Sequence, residues 1–276
     1  MRIVIHPKYE FLRAWLEQLP VTFAQQGEVI YEERNQIRRM EAEGVDVVVK
    51  RFHQPALLNR MVYSWVRKPK AVRAYENALE LGKRGFATPE PIGYILCGEG
   101  LLEESYLVTR VSELKHTFYD FRDGVIAGKE DLIEAFAKYA ASLHNAGVLH
   151  KDFSPGNILY DKIKGKWQFE LVDINRMRFG FVSPKQGCEN LCRLWGKTDF
   201  FETLCPVYAK ERGIDKAQCM QWIQAGRKRF WKHHAHEHFV TDDTFSVGVI
   251  IATYNKPEWL EKVLWGLTVQ TSGQRR

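Results

Sequence analysis

Residues 149–160 read LHKDFSPGNILY. Asp152 and Asn157 stand five positions apart, with His150 ahead of them and a Ser154-Pro155-Gly156 turn between them. Pro155 fixes its own φ and biases Ser154 toward extended backbone, so the segment reads as a tight loop rather than a helix. An Asx turn before a proline is the plain structural alternative. What raises a functional question is the surroundings of the loop.

Upstream, EDLIEAFAKYAASLHNAGV sets Leu132, Ile133, Phe136, Tyr139 and Leu143 on one apolar stripe, the mark of an amphipathic helix. Downstream, NILYDKIKGKWQFELVDIN reads as a hairpin, and helices are expected near 186–195, 199–211 and 215–235. The first part of the chain has a different period. MRIVI predicts a strand, and KYEFLRAWLEQL a helix through Phe11, Leu12, Trp15, Leu16 and Leu19. GEVIYEERNQIRRMEAEGVDVVVKRF then predicts strands at Val29–Glu32, Ile37–Glu41 and Val45–Phe52 with a turn at Arg34-Asn35. AVRAYENALELGKRG predicts a helix ended by Gly85, followed by strands in TPEPIGYILC and SYLVTRV. The expected class is α+β, with a β-rich first part and a helical second part.

Transfer of the terminal phosphoryl of ATP asks a protein mainly for positioning: metal ions on the phosphates, a cation beside them and a carboxylate that orients the acceptor hydroxyl. Asp152 is the candidate base and Asn157 a candidate Mg2+ ligand from the same loop, at the H-x-D-x-x-x-x-N spacing. FELVD delivers Asp173 at a strand end as the second metal ligand. Lys50, closing VVVK, can reach the phosphates, and Glu76 on the following helix can pair with it, with Glu80 as the competing partner. His150 reads as a brace for the loop rather than a proton carrier.

With those residues placed, the sequence resembles the protein-kinase-like superfamily and, within it, the lipopolysaccharide kinase family that phosphorylates Kdo or heptose. The likeness runs over about residues 1–240 through IYEERN, VVVKRF, AYENALEL, GFATPEPIGY, SYLVTR, LHKDFSPGNILY and CENLCRLWG. It implies a protein-kinase-like two-lobed fold: residues 1–111 as a nucleotide-binding lobe and 112–240 as a catalytic and acceptor-binding lobe. It further implies ATP and Mg2+ as cofactors. The glycine-rich G-x-G-x-x-G loop of protein kinases is missing, and the turn at Arg34 and Asn35 takes its place as a phosphate contact. Ser154 stands where protein kinases usually carry a lysine, DIN at 173–175 replaces D-F-G, and there is no A-P-E. Arg176 and Arg178 then become candidates to face an anionic acceptor. Two other classes stay open: a protein serine/threonine kinase-like enzyme, and a nucleotide-binding pseudokinase that scaffolds an attached glycosyltransferase.

The chain has 276 residues, a formal charge of +6, 45% hydrophobic and 27% charged residues, which suits a globular protein with anionic partners. Five scattered cysteines fit a reduced compartment, and Cys188 and Cys192 read as core packing rather than a metal pair. HHAHEH at 233–238 reads as an exposed helix end. No secretory leader and no apolar run long enough to span a bilayer is seen, so a cytoplasmic protein is expected, peripheral at the inner face of the cytoplasmic membrane. The expected partner is Kdo-lipid A or a related anionic glycolipid, with no nucleic acid. TFSVGVIIATYNKPEWLEKVLWGLTVQT resembles the first strand and helix of a family 2, GT-A type glycosyltransferase. Residues 241–276 are accordingly read as a linker and a truncated, incomplete α/β strand-helix stub.

Overall fold

The computed structural model describes residues 1–32, 35–52, 68–98, 103–121 and 124–234. Arg34, the glycosyltransferase-like stretch and the side chains of HHAHEH lie outside the described residues. The strands are β1 (Arg2–Ile5), β2 (Glu28–Glu32), β3 (Asn35–Ala42), β4 (Val45–Phe52), β5 (Pro91–Cys97), β6 (Glu104–Arg110), β7 (His116–Thr117), β8 (Val148–His150), β9 (Ile158–Ile163), β10 (Lys166–Leu171) and β11 (Met177–Phe179). The α-helices are α1 (Arg13–Thr22), α2 (Lys70–Lys83), α3 (Glu130–Asn145), α4 (Pro184–Asn190), α5 (Thr198–Arg212) and α6 (Lys216–His234).

The first strands form a six-stranded antiparallel sheet in the order β1-β5-β6-β4-β3-β2. Alternation decides its faces. Val47 and Val49 of β4 turn to one side with Ile92, Ile95, Tyr106 and Val108, and there they bury Leu12, Leu16 and Leu19 from the α1 region. Phe52 and Tyr94 pack with Ala71, Val72 and Tyr75 of α2 in a second cluster. The expected helix at KYEFLRAWLEQL begins as a 3-10 turn, Pro7–Leu12, before α1 takes over. His6 caps that turn with its Nδ1 accepting the Lys8 amide at 3.3 Å.

The second part is helical around an aromatic core. All five stripe positions of α3 pack in or against it, and Leu132, Ile133, Phe136 and Leu143 are at most 2% exposed. Phe136 sits among Phe118, Phe153 and Phe169, with ring centroids 4.3, 5.9 and 5.6 Å away. β9 and β10 make the expected hairpin, and its turn residues Lys164 and Gly165 both take positive φ, 50° and 77°, as a type I′ turn requires. The α+β class with a sheet-rich first part and a helical second part is therefore what the chain adopts.

α2 joins the two parts because its apolar residues occupy two faces. Ala71, Val72 and Tyr75 go to the sheet, while Ala74, Ala78 and Leu81 enter the helical core. Its end is built as read: Gly85, at φ +80°, closes the helix while the Phe86 amide donates back to the Leu81 carbonyl at 3.0 Å. Three strands of two or three residues, β7, β8 and β11, lay below sequence reading, since alternation needs a longer run.

Phe136→Ala is expected to lower the free energy of unfolding by about 3–5 kcal/mol, seen as a lower urea midpoint. Glu76→Ala, on the exposed face of α2 with a single lysine partner, should change it by no more than about 1 kcal/mol.

Candidate active site

The loop that opened the reading runs out of β8, bends through a 3-10 turn at Pro155–Asn157 and enters β9. Its shape is held from within and from behind. The Asp152 amide donates to His150 Nδ1 at 3.0 Å, so the His150 proton sits on Nε2 and donates to the Val172 carbonyl at 3.0 Å. Asn157 Nδ2 donates to the Asp152 carbonyl at 2.9 Å, and its own carbonyl accepts from the Val172 amide at 3.0 Å. The Lys151 amide donates to the Arg176 carbonyl at 2.9 Å. His150 is 2% exposed, and burial pushes its pKa below the usual value. The bracing role read for His150 is the one its bonds describe.

A chain of buried hydrogen bonds leads away from the loop into the helical core. The Asn190 side chain at the end of α4 donates to the His150 carbonyl at 2.9 Å and accepts from His144 Nε2 at 3.2 Å. His144 Nδ1 in turn accepts from the Tyr208 hydroxyl of α5 at 2.7 Å. Gly187 makes that last bond possible, because a Cβ there would collide with the Tyr208 oxygen. Both ring nitrogens of His144 and both polar ends of the Asn190 amide have a partner, as a buried polar network requires.

Lys50 and Asp173 meet. The ammonium at the end of β4 lies 2.6 Å from Asp173 Oδ1, which also accepts from Asn175 Nδ2 at 2.6 Å. Burial by itself would raise the Asp173 pKa, but the Lys50 charge and hydrogen bond, aided by the Asn175 hydrogen bond, outweigh it and hold the carboxyl below its ordinary range. Asp173 has left-handed backbone angles, φ 53° and ψ 41°, which cost a residue with a Cβ about 1–3 kcal/mol. α2 secures the following residues: Arg73 donates to the Asn175 carbonyl at 3.0 Å and Asn77 to the Ile174 carbonyl at 2.6 Å.

The expected pairing of Lys50 with Glu76 is not the one formed. The turn of α2 that aims Arg73 and Asn77 at the D-I-N backbone leaves Glu76 on the exposed face, where Lys68 binds both its oxygens at 2.7 and 2.8 Å. Glu80 pairs with Arg84 at 2.8 Å instead. Asn35 opens β3 opposite Phe52, two residues from the Ile37–Lys50 cross-strand pair. Arg178 is taken up by the Phe181 carbonyl at 3.3 Å and Gln186 Oε1 at 3.0 Å, while the Arg176 side chain is exposed.

Sequence reasoning assigned no role to Arg193. Its guanidinium lies 2.8 Å from Asp152 Oδ1 and stacks 5.2 Å from the Phe230 ring centroid of α6. The signal available was CENLCRLWG, in which Arg193 falls just after α4. Nothing about a separation of 41 residues announces a partner for Asp152. Asp152 Oδ2, Asp173 Oδ2 and Asn157 Oδ1 have no hydrogen-bond partner among the described residues. Oxygen donors of this kind suit Mg2+, which takes one or two protein ligands and fills the rest of its octahedron with phosphate and water. No group of three or more His, Cys, Asp or Glu that could hold a metal occurs among the described residues, and that ligand mode does not need one.

Burial lowers the His144 pKa to about 4, so His144 and His150 are neutral in the fold and take up protons more readily in the unfolded chain. Their contribution to stability is complete above about pH 6.5 and is lost as the pH falls toward about 4. Melting temperature is expected to drop across that window, and His144→Gln should flatten the drop although it lowers stability at pH 8.

A solved structure titled "WaaP in complex with acyl carrier protein" superposes with a TM-score of 0.56 at 19% identity, covering 84% of this chain and all of that one. Its protein-kinase-like fold is shared by this chain. No curated protein sequence matches. The profile described as the lipopolysaccharide kinase (Kdo/WaaP) family matches residues 21–225. With most of its length inside that profile, the chain belongs to the lipopolysaccharide kinase (Kdo/WaaP) family, whose members are kinases that phosphorylate sugar hydroxyls.

Proposed function

We propose that this kinase transfers the terminal phosphoryl of ATP to Kdo, with heptose the second choice, in the lipid-linked inner core of lipopolysaccharide. The observation that supports it most is the meeting of Lys50 and Asp173, 2.6 Å apart and 123 residues apart in sequence, beside the braced Asp152–Asn157 loop. On this reading residues 1–111 hold the nucleotide and 112–240 the acceptor. Asp152 accepts a hydrogen bond from the acceptor hydroxyl through Oδ2, while Arg193 fixes the carboxylate through Oδ1. Lys50 has three donors and spends one on Asp173, which leaves two for phosphate oxygens. Asp173 and Asn157 would hold Mg2+ through their remaining oxygens, and that ion would draw charge from the phosphates.

As the acceptor oxygen bonds to phosphorus, the bond to the ADP oxygen breaks and the hydroxyl proton passes toward Asp152. Kdo carries a carboxylate of its own, and Lys151 and Arg176, exposed beside the loop, together with Arg193 give that region a positive character. Among the described residues no helix is long and apolar enough to cross a membrane, and the proposed encounter with Kdo-lipid A is a peripheral one at the inner face of the cytoplasmic membrane. Asn35, and Arg34 from outside the described residues, are proposed as further phosphate contacts. Arg178, held by Gln186, is proposed to shape the acceptor side rather than to bind it.

The test is phosphate transfer from ATP to Kdo-lipid A by the purified chain. Asp152→Ala is expected to lower kcat by about 100-fold or more. No transfer by the intact chain, or unchanged transfer by the variant, contradicts the proposal. Labelling of a protein while the glycolipid stays unlabelled would favour a protein kinase instead.

A further inference from the structure

Tyr119 belongs to the 3-10 turn Phe118–Phe121, whose two phenylalanines are 1% exposed while Tyr119 is 45% exposed. Its ring is pressed against the backbone of the catalytic loop. A Cβ built on Gly156 would meet Tyr119 Cε2 at 2.5 Å and the hydroxyl oxygen at 2.9 Å, so a larger residue there would push the ring away from the loop. The half-buried ring of Trp195 faces it, with centroids 4.9 Å apart and planes tilted by 60°.

Trp195 is held from the other side of the site. It lies two residues beyond Arg193, the partner of Asp152. The carbonyls that flank it, on Leu194 and Gly196, accept from buried Arg227 at 2.9 and 3.0 Å. Arg227 is itself fixed over the Phe201 ring, 4.3 Å from its centroid. The two rings are therefore tied to Asp152 and Asn157 by separate routes: Tyr119 through Gly156, next to Asn157, and Trp195 through Arg193.

A single exposed tyrosine needs no explanation. Two large rings packed together at the edge of a site do, because the bare Gly156 leaves room for one and Arg227 fixes the segment that carries the other. A pyranose suits such a corner. Its C–H face is apolar and carries a weak positive charge that the negative face of an aromatic ring attracts, while its hydroxyls stay at the edge for hydrogen bonding. Aromatic side chains with a polar tip are well matched to a ligand of mixed character.

We propose that Tyr119 and Trp195 form the platform on which the acceptor's sugar ring stacks, so that one of its hydroxyls is presented to Asp152. The inference rests on the sugar-kinase reading above and adds the residues that select a pyranose. An acyl chain of the glycolipid is the competing occupant, and it would need apolar volume rather than a ring face.

The test uses the full chain with ATP and Kdo-lipid A in micelles, together with calorimetric binding of the deacylated Kdo saccharide. Trp195→Leu and Tyr119→Leu are each expected to raise the acceptor KM and the saccharide Kd about tenfold, with the KM for ATP within about twofold. Trp195→Phe keeps a ring face and should stay within about threefold of the wild type. Leucine performing as well as phenylalanine at 195, or an equal rise in the KM for ATP, overturns the platform. Saccharide binding that the leucine variants lose, without any phosphate transfer by the wild type, supports the platform and overturns the kinase reading. Transfer with unchanged acceptor affinity in the leucine variants does the reverse, and a wild type that neither binds nor phosphorylates overturns both.

Discussion

An ammonium and a carboxylate held at 2.6 Å between β4 and the end of β10 set the terms for the rest of the molecule. Lys50 and Asp173 are 16% and 33% exposed, so the pair is partly shielded from water and each charge offsets the other's desolvation. Bringing them together joins the six-stranded sheet to the helical part. Asp173 takes left-handed backbone there, and α2 grips the two carbonyls that follow it. α2 is thus more than packing between two cores. It places the carboxylate that the lysine meets.

Behind the Asp152–Asn157 loop the same logic runs through neutral groups. His150 and His144 stay uncharged because they are buried, and in that state each ring has one donor and one acceptor, both used. The loop is consequently fixed to α3, α4 and α5 through Asn190, and Asp152 is aimed by Arg193 from the segment between α4 and α5. Four helices contribute to the position of one carboxylate if α6 is counted, since Arg227 and Phe230 hold the Arg193–Gly196 segment. The proposed task of orienting a hydroxyl and a phosphate with little covalent chemistry would depend on this kind of support.

Much of the frame was legible because it repeats. The period of two in VDVVVKRF and the apolar stripe of EDLIEAFAKYAASL each name an element and its buried face, and Gly85 names a helix end. Asp152, Asn157, Lys50 and Asp173 were legible as candidates through their spacing and order. The partners were not. Helical periodicity says that Arg73, Glu76, Asn77 and Glu80 avoid the core, but not which of them meets a backbone 97 or 102 residues away, and so Glu76 was assigned to Lys50 when Lys68 takes it. Arg193 and the Tyr119–Trp195 corner arise from long-range packing that leaves no local pattern.

The pairing of Lys50 with Asp173 is proposed to receive a metal-bound triphosphate. The most direct measurement is the melting temperature of the wild type and of Asp173→Asn with ATP, in the presence of Mg2+ and in its absence. Stabilisation of the wild type by ATP that requires Mg2+, with the magnesium-dependent part lost in Asp173→Asn, is the predicted result. Stabilisation that is the same with and without the metal, or that survives intact in the variant, would contradict it.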